Sequence, residues 1–205
     1  MDGSELCRAV AMRFYAVNGT HPMTAEDDAY ASEWYVDLEA LAEMADTPAS
    51  ELRRLMLADR LPLPSYIRSD GAQMVARDLL ELARRAGGYE QLPEWFGHQF
   101  GTGRDAVREW DGYLRGHYVC LRDVMPETIQ RKEELVKAIS AAAAKPEPEN
   151  DDWLESLHSL VDELDKLEPP FTRYDRLRFG GPISRDRCID AVRARFPRRN
   201  SLDRP

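Results

Sequence analysis

Residues Asp37–Pro64 read DLEALAEMADTPASELRRLMLADRLPLP, the stretch that most narrows what this chain can fold into. Leu38, Leu41, Ala42 and Ala45 recur at helical spacing behind Asp37, a residue suited to capping. Thr47 and Pro48 supply an N-cap and a first helical residue for a second helix with Leu52, Leu55 and Met56 on its inner face. The prolines of LPLP end it, because each lacks a backbone donor and restricts the residue before it. Two short helices joined by a tight turn are therefore expected.

SYIRSDGAQMV follows, with Asp70-Gly71 between short runs containing Tyr66, Ile67, Met74 and Val75, which is a hairpin signal. Helix pair and hairpin together predict a winged helix-turn-helix-like unit. The rest of the chain is helical in pattern. Leu6, Val10, Phe14 and Val17 precede Gly19 and predict a helix over about Ser4–Asn18, and Thr24 with Asp27 forms a capping box for a short acidic helix through Ala31. Val107, Trp110, Leu114 and Leu121 predict one helix from Arg104 to Val124. Ile129, Leu135, Val136 and Ile139 predict another that begins near Pro126.

KPEPEN is a proline-rich polar linker. Beyond it, Trp153, Leu157, Leu160, Leu164 and Leu167 form a two-heptad seam on an acidic helix, too short to argue for a coiled coil, so it is expected to dock on the body of the protein. A Gly-Gly turn and a helix capped by Ser184 close the pattern. The fold class is mainly α, in three units. Residues 1–76 form the winged helix-turn-helix-like unit with its N-terminal helices, 77–145 a helical domain, and 146–205 the linker, the acidic amphipathic helix and a basic capping segment.

Charge is unevenly spread. From Phe171 onward ten Arg oppose four Asp, a net +6, so the preceding 170 residues carry −15 of the overall −9. A basic tail on an acidic body pairs with that body or offers itself to an anion, including a phosphate at GGPISRDR through Arg185 and Arg187. Cys7, Cys120 and Cys188 are odd in number and widely spaced, as suits reduced thiols in a cytoplasmic protein. No segment has the ~20 apolar residues of a membrane span, and no signal peptide is visible at the start.

Tyr35 to Val75 resembles the helix-turn-helix and wing of the MerR and excisionase regulators. That resemblance implies Arg53 and Arg54 as major-groove residues and Arg68 as the wing contact. The charge argues the other way: eight acidic residues oppose four basic ones between Glu33 and Asp70. Affinity for DNA comes largely from neutralising phosphates, so nucleic acid is the less favoured partner.

The densest set of reactive side chains is EWFGHQFGTGRDAVREWDGYLRGHYVCLRD. On a continuous helix, His117 and Cys120 share one face and form a candidate catalytic pair, while Trp95, His98, Trp110 and Tyr113 are candidate ligand-binding residues. The same side chains also suit a packed core. No metal site is assigned and no motif names a cofactor. The order LPLPSYI, YLRGHYVCLRDVMPETIQRK and RFGGPISRDRCIDAVR is similar to an uncharacterised, mainly actinobacterial family whose members are labelled natural-product biosynthesis proteins. The resemblance implies an accessory or enzymatic role in small-molecule biosynthesis, with the helix-turn-helix as scaffold and a small molecule as possible ligand. The alternatives are a DNA-binding regulator and a protein-interaction module. A monomer or weak homodimer is expected.

Overall fold

The structure is a computed structural model that describes residues 2–100, 106–116 and 118–199. It is mainly helical, with one small antiparallel sheet. Helix α1 (Gly3–Asn18) opens on a reciprocal capping box between Asp2 and Glu5 and ends at Gly19, whose φ of +77° suits a residue without Cβ. Helix α2 (Ala25–Trp34) opens on the expected Thr24–Asp27 box and runs three residues beyond Ala31. Strand β1 (Val36–Asp37) leads into α3 (Leu38–Met44), where Asp37 accepts from the amides of Glu39 and Ala40.

At α4 (Ala49–Leu57) the expected cap shifts by one residue. Pro48 holds the N-cap position and no side chain caps the helix. Thr47 still donates its amide to the Ala42 carbonyl, so it closes α3 instead of opening α4. Strands β2 (Tyr66–Ile67) and β3 (Gln73–Val75) are joined through Asp70-Gly71, with Gly71 at φ +88°. Strand β3 is central: Tyr66 lies opposite Met74 on one side, and Val36 opposite Val75 on the other.

The remaining elements are α5 (Leu79–Ala86), α6 (Leu92–His98), α7 (Ala106–Leu114), α8 (Pro126–Ala144), α9 (Asp151–Leu167) and α10 (Arg173–Phe179). A π-helical stretch, Arg185–Asp190, then runs into α11 (Ala191–Arg195). Helix α7 does not continue to Val124 as its apolar spacing suggested. The Gly116 amide bonds the Tyr113 carbonyl at 3.0 Å with φ +76°, and turns follow.

One cluster of buried side chains extends from Val10 to Ile129, across the expected boundary at residue 76. A second joins α8, α9 and the C-terminal helices. Here the seam of α9 docks, but rotated: Leu154, Leu157, Val161 and Leu164 are buried, while Trp153 and Leu160 are only partly so. A straight helix turns every 3.6 residues and drifts off a strict seven-residue repeat. A third cluster packs Tyr35 edge-on against Tyr66 and Tyr66 against a tilted Tyr174, tying α10 to the sheet. The basic tail pairs with the acidic body. Arg185 and Arg193 reach Asp165, Arg193 and Arg198 reach Asp162, and Arg199 reaches Glu149 and Asp151.

Candidate functional site

Two charged residues lie on helix faces that are otherwise apolar. Lys132 on α8 falls three residues from buried Ile129 and three from buried Leu135. At the end of α9, Glu168 continues the buried row of Leu157, Val161 and Leu164. Glu168 precedes Pro169, which pushes it out of the helical region, and its ψ is 125°. Helices α8 and α9 pack together and bring Lys132 Nζ to 3.0 Å from Glu168 Oε1.

The turns after α7 complete the group. The Arg122 amide donates to the Leu167 carbonyl at 2.9 Å, which fastens this segment to the end of α9. Cys120 Sγ then accepts a hydrogen bond from Lys132 Nζ at 2.8 Å. From the C-terminal side, the Ser184 hydroxyl donates to Glu168 Oε1. Ser184 was expected as an N-cap, yet it makes no capping bond. Its own backbone is helical, at φ −56° and ψ −42°, where an N-cap needs extended geometry.

Lys132 and Glu168 are 15% and 1% exposed, so both charges are withdrawn from water. Burial alone pushes the Lys132 ammonium towards neutrality. Cys120 and Glu168 together outweigh that and raise its pKa, so it remains charged. Glu168 Oε2 is buried and has no hydrogen-bond partner among the described residues. Beside this group opens a cleft of about 490 Å³. Val119, Val136, Phe171, Phe179 and Ile183 supply its apolar lining, and Cys120, Lys132 and Ser184 its reactive edge. Lys137 and Arg187 also line it.

Of the residues expected from sequence, Cys120 reaches this cleft and His117 lies outside the described residues. Helix α7 ends at Leu114, and Cys120 lies in the turns that follow it. Trp110 and Tyr113 are buried against Phe96, Trp110 edge-on at a centroid distance of 5.7 Å and Tyr113 stacked at 4.9 Å. Trp95 is half-buried and His98 exposed, and none of these four lines the cleft. Among the described residues no three His, Cys, Asp or Glu side chains converge as metal ligands.

The three arginines of the helix-turn-helix resemblance also separate. Arg53 is 6% exposed and faces inward, donating to Gln73 Oε1 at 2.8 Å and Glu39 Oε1 at 2.6 Å. It ties α4 to both α3 and β3. Arg54 pairs with Glu51 on the exposed face of α4, and Arg68 with Asp70 in the hairpin turn.

Sequence reasoning missed Lys132, Glu168 and Ser184. A lysine and a glutamate on two apolar stripes were the available signal for the first two, because a charge on a core-facing position calls for a partner.

The fold and the Cys–Lys–Glu group thus define a mainly helical protein with a charged cluster beside an apolar cleft. Residues 96–197, just under half of the chain, match the model of a family of unknown function (DUF6058). The matched segment contains every residue that lines the cleft, whereas α3, α4 and the hairpin lie before it. No curated protein and no solved structure matches the chain.

Proposed function

We propose that the protein is an accessory or enzymatic component of small-molecule biosynthesis whose ligand occupies the cleft beside α8. In this reading α3, α4 and the hairpin are a winged helix-turn-helix-like scaffold. The observation that carries it is the contact of Cys120 with Lys132 at the edge of an apolar cleft. A sulfur nucleophile beside an ammonium suits covalent capture of an electrophilic carbon, because the ammonium stabilises negative charge on sulfur. The apolar walls suit the body of a small organic ligand. The biosynthetic setting rests on the sequence resemblance described above.

Alkylation of the reduced protein with iodoacetamide tests this. Cys120 should react ahead of Cys7 and Cys188, and Lys132→Met should slow it by about tenfold while Cys7 is unaffected. Val136→Trp, which fills the cleft, should protect Cys120. Equal reactivity of the three thiols would remove the nucleophile from the proposal.

The α3–α4 turn followed by an antiparallel hairpin favours a second reading, a DNA-binding regulator. It would depend on Arg54 and Arg68, since Arg53 is occupied within the fold. Under the main proposal the protein shows no salt-sensitive retention by duplex DNA. Retention that Arg54→Glu with Arg68→Glu abolishes would transfer the assignment to the regulator.

A further inference from the structure

We infer that Cys120 and Lys132 are a site of oxidative cross-linking, at which dioxygen joins the two side chains through one oxygen atom as an Nζ–O–Sγ bridge. The separation of Nζ and Sγ is 2.8 Å. That is a distance usual for N–H···O, although sulfur is the larger atom. Two atoms singly bonded to one bent oxygen lie at about this separation, so the bridge needs little movement. Both partners are held in place, Lys132 in the middle of α8 and Cys120 in turns fastened by the Arg122–Leu167 hydrogen bond. The cleft reaches both side chains and provides a path for dioxygen.

The step balances. One N–H bond and the S–H bond break, and N–O and O–S bonds form. Nitrogen and sulfur each lose two electrons, and dioxygen takes all four. One of its oxygen atoms becomes the bridge and the other leaves as water. The amine must first lose the extra proton of the ammonium, and Glu168 stands 3.0 Å away to receive it. Glu168 is 1% exposed and its Oε2 has no partner among the described residues, so a carboxylic acid there suits the loss of the neighbouring cation. The bridge consumes the thiol and the amine together. It would therefore switch off nucleophilic chemistry at Cys120 if the proposed function holds, but its formation does not rest on that reading.

The experiment uses the full chain prepared under anaerobic reducing conditions and then moved to air-saturated buffer. Intact mass should rise by about 14 Da, one oxygen in and two hydrogens out, and dithiothreitol should reverse the gain. Heavy-isotope dioxygen should add about 2 Da more, and peptide mapping should join the segments holding residues 120 and 132. Cys120→Ser and Lys132→Arg should abolish the gain, whereas Cys7→Ser should keep it. Should Lys132→Arg fold poorly, Cys120→Ser and the wild-type peptide map decide the matter. A gain of one or two whole oxygens on Cys120 would mean simple sulfur oxidation and overturn the proposal. Loss of two hydrogens, meaning a direct S–N bond, would overturn it too, as would an unchanged mass.

Discussion

Lys132→Met is expected to destabilise the fold by about 3–5 kcal/mol at neutral pH. Methionine matches lysine in length and suits the apolar stripe between Ile129 and Leu135, so little of the loss comes from packing. The loss comes from Glu168, which is 1% exposed and, among the described residues, keeps only the Ser184 hydroxyl as a side-chain partner. In a chain of 205 residues this lowers the melting temperature by roughly 10 °C. Two further measurements separate a stranded charge from lost packing. The deficit should shrink in acid, because a carboxylate left alone in the interior binds a proton more readily in the folded chain than in the unfolded one. Adding Glu168→Leu to Lys132→Met should restore much of the stability, because removing both charges leaves no uncompensated ion. A double variant as unstable as the single one would place the cost in packing instead.

The second large effect concerns Asp78, whose side chain is not a helix cap although it precedes α5. Its Oδ2 accepts from the Val124 amide, while Oδ1 is buried with no partner among the described residues. Burial pushes its pKa up to about 6, and Asp123 nearby adds to this, against the opposing pull of the Val124 amide. Between the unfolded value of about 3.9 and the folded value, the folded chain holds a proton that the unfolded chain has released. The contribution of Asp78 is therefore fully present below about pH 4 and is lost as pH rises to about 6. A shift of about two units corresponds to roughly 3 kcal/mol. Asp78→Asn keeps an acceptor for Val124 and removes the titration. Relative to wild type it should gain about 3 kcal/mol between pH 4 and pH 7, read from urea unfolding at the two pH values. A difference that stays flat with pH would show that Asp78 titrates in the ordinary range. Comparing the two chains cancels the carboxylates of opposite sign, such as Glu81 and Asp186, each held down to about 2 chiefly by arginine hydrogen bonds.

Together these effects place the polar stress of the molecule around the turns between α7 and α8. That segment holds Cys120, donates the Val124 amide to Asp78 and fastens to α9 through Arg122. By contrast, the α3–α4 pair buries Arg53 in hydrogen bonds to Gln73 and Glu39 and carries exposed carboxylates.

Much of the fold was determined by the sequence alone. The Thr24–Asp27 box, the Gly19 stop, the Asp70-Gly71 turn and the start of α8 at Pro126 all depend on residues within a few positions of one another. Their physics is local, a matter of caps, backbone restriction and helical spacing. Docking of the α9 seam followed from its short length, and pairing of the basic tail with the acidic body was one of the two outcomes its charge allowed. The candidate site depends on longer-range contacts. Cys120, Lys132, Glu168 and Ser184 come from four segments of the chain. Their meeting depends on where α7 stops, how α9 rotates on α8, and a helical Ser184 that is free to reach Glu168. Apolar spacing argued for a helix through Val124, yet the turn at Gly116 ended it. The tertiary structure alone decided that the sulfur of Cys120 would lie against a buried ammonium, because that contact belongs to no local pattern.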